Sequence, residues 1–178
     1  PIQPFILYEF IEALGCDAFV DVGANIGFYS LFLTLSDSIR KVFSFEAASQ
    51  SFEELSSNVS VNSFDDKIEC VKAAASSYDG EVQFGIADPM SGTNGVLETN
   101  LHAQSSFGHS EPVRALRLDS YLTSENAPYS KLAIKIDVEG HELEVLKGAP
   151  MLLESSVALI QVEDFSNRGS SINRYLES

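Results

Sequence analysis

The sequence predicts an α/β protein with a doubly wound, mainly parallel β-sheet flanked by helices. Short apolar segments of strand length recur along the chain, and most are followed by segments with apolar residues at helical spacing. The apolar runs are nearly continuous, which is typical of strands that are buried on both faces. Strands that alternate with helices in this way form right-handed βαβ units around a parallel sheet.

The size of the chain favours one folding unit. It has 178 residues, of which 44% are hydrophobic, and this fits a single core of ordinary size. We therefore expect a single domain over residues 1–178. It would comprise an N-terminal helix in 1–18, a core in 19–163 and a tail in 164–178.

The first predicted element is a helix that ends at Gly15, a residue common where helices stop. Its apolar residues at helical spacing are Ile6, Leu7, Phe10, Ile11 and Leu14. Five strands are predicted at 19–22, 42–46, 68–71, 132–139 and 157–163. Helical patterns follow at 28–35, 52–59 and 143–146, the last with Gly148 and Pro150 as stop signals.

Two further strands are predicted at 81–88 and 113–122, where the alternation with helices is interrupted. The connection between them is rich in Gly, Ser, Thr and Asn. Long connections of this kind are more often functional or mobile loops than parts of a core. We expect the 87–112 loop to cover or select a substrate. His102 and His109 lie in it and could line the substrate site or be exposed to solvent.

The charge balance makes some partners unfavourable. Against 11 Lys and Arg residues the chain has 26 Asp and Glu residues, a formal net charge of −15. This charge repels nucleic-acid phosphates and anionic membrane surfaces, so we expect neither as a partner. Cys16 and Cys70 are too far apart in sequence for a paired-thiol metal site. No leader pattern or membrane-length apolar run is evident, and we expect a cytoplasmic protein.

A glycine turn follows the first predicted strand in the segment FVDVGANIGFYS, residues 19–30. Gly23 and Gly27 fall at the carboxyl end of that strand, where parallel sheets bind their ligands. Glu46 ends the second strand, 23 residues after Gly23. An acid at about this offset accepts hydrogen bonds from a ribose diol. Together the turn and the acid predict a cofactor that contains a nucleoside.

The residues within the turn favour one nucleoside over another. A dinucleotide site needs a middle glycine against the pyrophosphate, and Asn25 stands at that position. Asp21 beside the turn would repel a pyrophosphate, but it could hold the ammonium of S-adenosylmethionine directly or through water. The sequence therefore favours S-adenosylmethionine, although Gly-x-x-x-Gly also occurs in ordinary strand-to-helix turns.

A second group of polar residues lies in KIDVEGHELEVLKGA, residues 135–149. Asp137 and Glu139 are predicted at the carboxyl end of a central strand, on the same sheet edge as Gly23. His141 and Glu142 would open the next helix, and Glu163 and Asp164 end the following strand.

These residues allow two kinds of chemistry. A carboxylate or His141 could remove the proton of an attacking hydroxyl. Several carboxylates could instead hold a divalent cation, but we predict no metal ligand. Two simpler explanations stay open: Glu142 is also favoured by the helix dipole, and His141 could be a surface residue.

These segments resemble the FkbM-type S-adenosylmethionine-dependent methyltransferases over about residues 19–163. The resemblance implies the Rossmann-like class I methyltransferase fold, and O-methylation of hydroxyl groups on sugars or polyketide-type molecules. The family fold usually closes with two antiparallel strands after the strand that ends at Glu163, where this sequence has only the tail, so we expect these strands to be missing or the sheet to be open at one edge. It makes Asp21, Gly23, Asn25 and Gly27 the cofactor loop, with Glu46 as the ribose acceptor. It places Asp137 and Glu139 beside the transferring methyl, with Glu142 as the last acid of the motif. Ala47 stands where the family often has proline.

We therefore expect an O-methyltransferase whose partner is a small-molecule or glycan substrate with a free hydroxyl. The predicted catalytic residues are Asp137, Glu139 and His141. The predicted cofactor residues are Asp21, Gly23, Asn25, Gly27, Glu46 and Asp137. Two alternatives remain: a cofactor-binding or interaction module without catalysis, and a nicotinamide oxidoreductase on a similar sheet.

Overall fold

The main sheet of the protein is parallel and has five strands in the order β3-β2-β1-β8-β9. The computed structural model describes residues 2–86, 94–99, 108–122, 129–164 and 171–178. The strands of this sheet are β1 (Ala18–Val22), β2 (Lys41–Glu46), β3 (Ile68–Lys72), β8 (Leu132–Ile136) and β9 (Val157–Val162). Every residue of β1 and β8 is buried, as the apolar runs predicted.

Helices cover both faces of this sheet, which confirms the doubly wound α/β class. One face packs against α1 (Gln3–Leu14), α2 (Phe28–Leu33) and α3 (Ser49–Val61). The other packs against α4 (Leu118–Tyr121), α5 (Glu142–Lys147), α6 (Pro150–Ser155) and α7 (Ser171–Leu176). Successive residues of β1 alternate between the two cores, since Phe19 belongs to the first and Val20 to the second.

The strand order reverses beside β1. From β1 the chain moves outward through β2 to β3, and it later returns to the other side of β1 as β8. Both neighbours are parallel to β1, with Asp21 opposite Ser44 on one side and opposite Lys135 on the other. In open parallel sheets, ligands bind at the carboxyl ends of the strands near such a reversal.

A second, smaller sheet has the order β4-β7-β5-β6. Its strands are β4 (Ala74–Ala75), β5 (Gly80–Ile86), β6 (Gly95–Val96) and β7 (His109–Leu116). The strand predicted at 113–122 is wrong in its second half, because residues Leu118–Tyr121 form α4. His109 is the first residue of β7 and is exposed. His102 lies outside the described residues, as do parts of the 87–112 loop.

Two element boundaries also differ from the sequence prediction. The strand predicted at 132–139 ends at Ile136, so Asp137 and Glu139 belong to the loop that follows it. Helix α5 ends at Lys147, directly before the predicted stop at Gly148, but Pro150 begins α6 rather than acting only as a stop signal. Proline suits the first turn of a helix, where its missing N–H has no partner to lose.

The first helix ends at Gly15 with a left-handed φ of 65°, as predicted, but its buried face is narrower than the apolar pattern indicated. Leu7 and Ile11 are buried, whereas Ile6 and Phe10 are about half exposed, at 48% and 53%. Among the described residues, no helix combines the length and apolar character needed to cross a membrane.

Candidate active site

A cavity of about 440 Å³ opens at the carboxyl edge of the parallel sheet. Its walls come from the ends of β1, β2 and β8 and from residues of the small sheet, such as Phe84 and Val96. Binding sites for small molecules and cofactors commonly have volumes of roughly 300–1,000 Å³. The cavity is therefore large enough for a ligand of nucleoside size, and it lies where the strand order predicts a site.

The glycine turn forms one wall of this cavity and has three left-handed residues. The φ angles are 77° at Gly23, 50° at Asn25 and 91° at Gly27. A Cβ atom on Gly23 would lie 1.9 Å from the carbonyl oxygen of Asp137, so glycine is required where the turn meets the loop after β8. Gly27 does not line the cavity, and its missing side chain makes room for Leu55 of α3.

Glu46 lies at the end of β2, and both of its carboxylate oxygens accept backbone hydrogen bonds. The N–H of Asn25 donates to Oε2 and the N–H of Ala48 donates to Oε1, each at 2.8 Å. Glu46 is 8% exposed and lines the cavity. Burial raises its pKa, and the two amide donors only partly oppose that shift. Each oxygen retains a second lone pair that could accept a hydrogen bond from a ligand.

Asp21 lies behind the cavity wall rather than in it. The side chain is fully buried and is not among the residues that line the cavity. Oδ2 accepts a hydrogen bond from Ser30 Oγ at 2.7 Å, and Oδ1 lies 3.4 Å from the ammonium of Lys135. The lysine therefore stands in the position that the sequence assigned to a cofactor ammonium.

Lys135 is a buried cation in the floor of the site, and sequence reasoning gave it no role. It is 4% exposed and lines the cavity. Its Nζ donates to the carbonyl oxygen of Gly23 at 3.0 Å and lies 3.4 Å from Asp137 Oδ2. Burial has the largest effect on the pKa of Lys135 and lowers it, but Asp21 and Asp137 together outweigh burial, so the pKa lies above its ordinary value.

Asp137 and Glu139 lie in a tight loop between β8 and α5. Glu139 has φ 54° and Gly140 has φ 105°, so the chain reverses over two left-handed residues. Glu142 stabilises this loop, because its Oε1 accepts hydrogen bonds from the N–H groups of Val138 (3.2 Å) and Gly140 (3.0 Å). Glu142 therefore has a structural role here beyond any interaction with the helix dipole.

Three carboxylates converge beside this loop. Asp137, Glu139 and Glu163 each place an oxygen within 4.8 Å of the other two, and all three line the cavity. A hydrogen bond with Asp137 is the largest cause that raises the pKa of Glu163, to about 7, and burial and nearby negative charges add to it. A divalent cation could bridge oxygens at this spacing, but exposed acidic groups are common without one, and we assign no metal.

We call Glu46 with the amides of Asn25 and Ala48 the Glu46 end of the cavity. Asp137, Glu139 and Glu163 form the carboxylate end. The glycine turn lies between the two ends and contacts both, through the amide of Asn25 and the backbone of Gly23.

His141 is buried, at 4% exposure, so the prediction that it could be a surface residue is wrong. Its Nε2 lies 3.0 Å from Ser76 Oγ, and its Nδ1 lies 2.7 Å from Thr99 Oγ1. Burial lowers its pKa, and the nearby carboxylate of Glu144 only partly opposes this. Both ring nitrogens are engaged within the protein, so His141 links α5 to the segment that contains β6.

A comparison with solved structures identifies the fold class of the protein. The solved structure of methyltransferase FkbM from Methylobacillus flagellatus KT has the same fold, with a TM-score of 0.51 and 20% identity. That comparison covers 79% of this chain and 31% of the other. The protein thus has the Rossmann-like fold of the class I methyltransferases, as predicted.

The family follows from the sequence match. The model of the methyltransferase FkbM domain matches residues 21–178, so the chain belongs to the FkbM methyltransferase family. This confirms the family predicted from the motifs.

Two curated relatives are also methyltransferases. Hexuronic acid methyltransferase AglP from Haloferax volcanii is 30% identical over 144 residues, which is 81% of this chain and 54% of the relative. Methyltransferase sdnD from Sordaria araneosa is 28% identical over 152 residues, covering 72% of this chain and 59% of the relative. The chain therefore spans between half and two thirds of the length of these relatives.

Proposed function

We propose that this protein is an S-adenosylmethionine-dependent O-methyltransferase that acts on a hydroxyl group of a sugar or related small molecule. The observation that carries the proposal is the pairing of the two ends within one cavity. A buried acid at the end of β2 suits a ribose, and a group of acids beside the β8 loop suits a reacting hydroxyl.

The chain's residues suit this cofactor at several points. Glu46 has lone pairs free for the ribose hydroxyls, and the backbone of Gly23 and Asn25 forms the wall on which the cofactor would rest. Asp21 and Gly27 do not line the cavity. Asp21 forms an ion pair with Lys135, and the missing side chain of Gly27 leaves room for α3 to pack against the turn. Among the described cavity-lining residues the acids outnumber the single lysine, and this charge balance favours a ligand with an ammonium and a sulfonium.

The proposed chemistry needs a group that takes a proton. S-adenosylmethionine, when bound, supplies an electrophilic methyl group on a sulfonium. One of the acids Asp137, Glu139 and Glu163 would accept the single proton of the acceptor hydroxyl. That proton is released as the hydroxyl oxygen bonds to the methyl carbon and the carbon–sulfur bond breaks, with S-adenosylhomocysteine as the leaving group. A carboxyl with a pKa of about 7, as at Glu163, is matched to this task near neutral pH.

His141 is less suited to remove this proton directly. Both of its ring nitrogens are hydrogen-bonded to hydroxyl groups of the protein, and burial lowers its pKa. We propose instead that His141 has a structural role, because its hydrogen bond to Thr99 fixes the β6 segment beside the cavity. The wall of the site opposite the parallel sheet would thereby stay in place during the reaction.

The name of one relative supports the proposed acceptor class. The name of the Haloferax volcanii relative specifies a hexuronic acid, which is a sugar that offers both hydroxyl and carboxyl oxygens. We propose a hydroxyl acceptor because the acids of the carboxylate end could deprotonate an alcohol, whereas an ionised carboxylate needs no base and would be repelled by them.

Methyl transfer to a panel of sugars tests the proposal. The protein is incubated with S-adenosylmethionine labelled in the methyl group and with neutral sugars, hexuronic acids and hydroxylated polyketides. We expect label in a sugar, in a product that resists mild alkali as an ether does. An alkali-labile ester would show transfer to a carboxyl and contradict the hydroxyl assignment. Binding of S-adenosylmethionine without transfer to any acceptor would instead support a module without catalysis.

A further inference from the structure

We propose that Lys135 is the positioning residue of the site. It joins the glycine turn to the β8 loop, and thereby it shapes the part of the cavity that receives the amino-acid portion of the cofactor. The inference rests on the proposed function, because it concerns how the same cavity binds S-adenosylmethionine.

The ammonium of Lys135 contacts both the glycine turn and the β8 loop. Its Nζ donates to the carbonyl of Gly23 in the turn at 3.0 Å and lies 3.4 Å from Asp137 in the loop. A third partner, Asp21 in β1, also lies at 3.4 Å. The ammonium has three N–H donors and three oxygen neighbours, so its orientation is fixed from three directions.

The geometry around the ammonium leaves little freedom. The ring of Tyr29 lies against it, with the ring centroid 5.1 Å from Nζ, a distance at which an aromatic face attracts a cation. The turn and the loop also meet directly, since the N–H of Asp137 donates to the carbonyl of Val22 at 3.1 Å. Lys135 thus reinforces a junction that the backbone has already brought together.

Lys135 also balances the negative charge around the junction of the turn and the loop. Asp21 and Asp137 would repel each other and would also repel the carboxylate of an amino-acid ligand. Lys135 compensates this charge, and it is the only lysine or arginine among the described residues that line the cavity. Without it, the cavity would keep its fit for the nucleoside at the Glu46 end but would lose its fit for a zwitterionic amino acid at the other end.

The test compares two ligands that differ in the amino-acid portion alone. S-adenosylhomocysteine carries it, and 5′-methylthioadenosine lacks it. By calorimetry we expect Lys135→Met to weaken S-adenosylhomocysteine binding by roughly 10- to 100-fold, because the junction that receives the amino-acid portion loses the charged hydrogen bonds that hold it. Binding of 5′-methylthioadenosine should change by less than about threefold, because its contacts do not include the junction. Lys41→Met is the matched control, since Lys41 begins β2 at the opposite end of the strand from Glu46.

A double variant separates the loss of ligand binding from a loss of stability. Removing Lys135 alone leaves Asp21 buried and uncompensated, which is strongly destabilising. The pair Asp21→Asn with Lys135→Met removes both charges and should restore thermal stability without restoring S-adenosylhomocysteine affinity. Asp21→Asn alone shows how much of the loss belongs to Asp21.

The outcomes separate this inference from the proposed function. If both ligands weaken equally in the folded variants, or if neither weakens, Lys135 is not a positioning residue for the amino-acid portion. If the unmodified protein binds neither adenosyl ligand, the proposed function fails and this inference fails with it.

Discussion

The two ends of the cavity hold their acids by different means. Glu46 is fixed by the backbone, because each carboxylate oxygen accepts an amide hydrogen bond. The acids of the carboxylate end are held by side chains: Lys135 lies 3.4 Å from Asp137, and Glu163 hydrogen-bonds to Asp137. An acid held by two backbone amides keeps its position, whereas acids that face one another can exchange a proton. From this difference we propose that the first end recognises the ligand and the second end transfers the proton.

The largest expected effect comes from Gly23, where the backbone of the glycine turn packs against the β8 loop. Gly23→Ala would place a Cβ atom 1.9 Å from the carbonyl oxygen of Asp137, in a residue with φ 77°. We expect the free energy of unfolding to fall by roughly 3–5 kcal/mol, because overpacking and left-handed strain both contribute. Urea denaturation measures the change.

Gly15→Ala is the matched control for this prediction. Gly15 has φ 65° but no atom within 4 Å of its added Cβ, so only the strain of about 1–2 kcal/mol applies. Equal losses of stability in the two variants would show that the contact between the turn and the β8 loop is unimportant.

The next effect tests recognition at the Glu46 end. Both carboxylate oxygens of Glu46 accept a backbone N–H, from Asn25 and from Ala48. In Glu46→Gln the NH₂ group replaces one of these oxygens and, being a donor, cannot accept from the N–H that it faces. We expect affinity for S-adenosylhomocysteine to fall by roughly 10- to 100-fold, as measured by calorimetry. Glu53→Gln, at an exposed position of α3, is the control.

A ligand without the 2′-hydroxyl sharpens this test. If Glu46 binds the ribose diol, removal of the 2′-hydroxyl weakens ligand binding to the unmodified protein. The same removal should cause little further loss of affinity in Glu46→Gln, because the two changes act on the same interaction. Fully additive losses would contradict the assignment of the ribose to Glu46.

A smaller effect is expected at Glu142, which supports the carboxylate end with one oxygen alone. Its Oε1 accepts from both Val138 and Gly140. Glu142→Gln can present its carbonyl oxygen there and should leave stability nearly unchanged. Glu142→Ala should lower the free energy of unfolding by about 1–2 kcal/mol. A glutamine variant as unstable as the alanine variant in urea would show that the charge, rather than the acceptor oxygen, holds the loop.

The smallest effect is a pH dependence at the carboxylate end. The pKa of Glu163 is about 7, so this carboxyl is largely neutral at pH 6 and ionised at pH 8. The added negative charge favours the sulfonium of S-adenosylmethionine over neutral S-adenosylhomocysteine. We expect the ratio of the two affinities to rise by roughly two- to fivefold between these pH values, the range for an exposed charge pair.

Glu163→Gln should make that ratio independent of pH, while Glu154→Gln, at an exposed position of α6, should leave it unchanged from the unmodified protein. Calorimetry with both ligands at each pH provides the measurement. A ratio that falls as the pH rises would mean that Glu163 does not face the sulfonium.

Much of the fold could be predicted from local pattern. The buried strands, the glycine turn and the acid at the end of β2 are all encoded in short segments, and the positions of their ends follow from the rules of parallel sheets. The narrow buried face of α1 could not be predicted, because an apolar pattern does not say which residues meet a neighbouring element. Phe10, for example, is apolar but about half exposed.

The roles of Lys135 and His141 depend on contacts between distant parts of the chain. Lys135 meets Asp21 because the register of β1 and β8 places them opposite each other, and no local pattern gives that register. A lysine within an apolar strand was nonetheless a usable signal, since a buried ammonium requires an anionic partner. The ring of His141 hydrogen-bonds to Ser76 and Thr99, which are remote from it in sequence.

A crystal structure of the protein with S-adenosylhomocysteine would test the central claim most directly. We predict the ribose hydroxyls within hydrogen-bond distance of the Glu46 carboxylate, and the amino-acid portion at the junction of the glycine turn and the β8 loop, beside Lys135. A ligand bound in the reverse direction, with its amino-acid portion at Glu46, or bound outside the cavity, would contradict the division between the two ends.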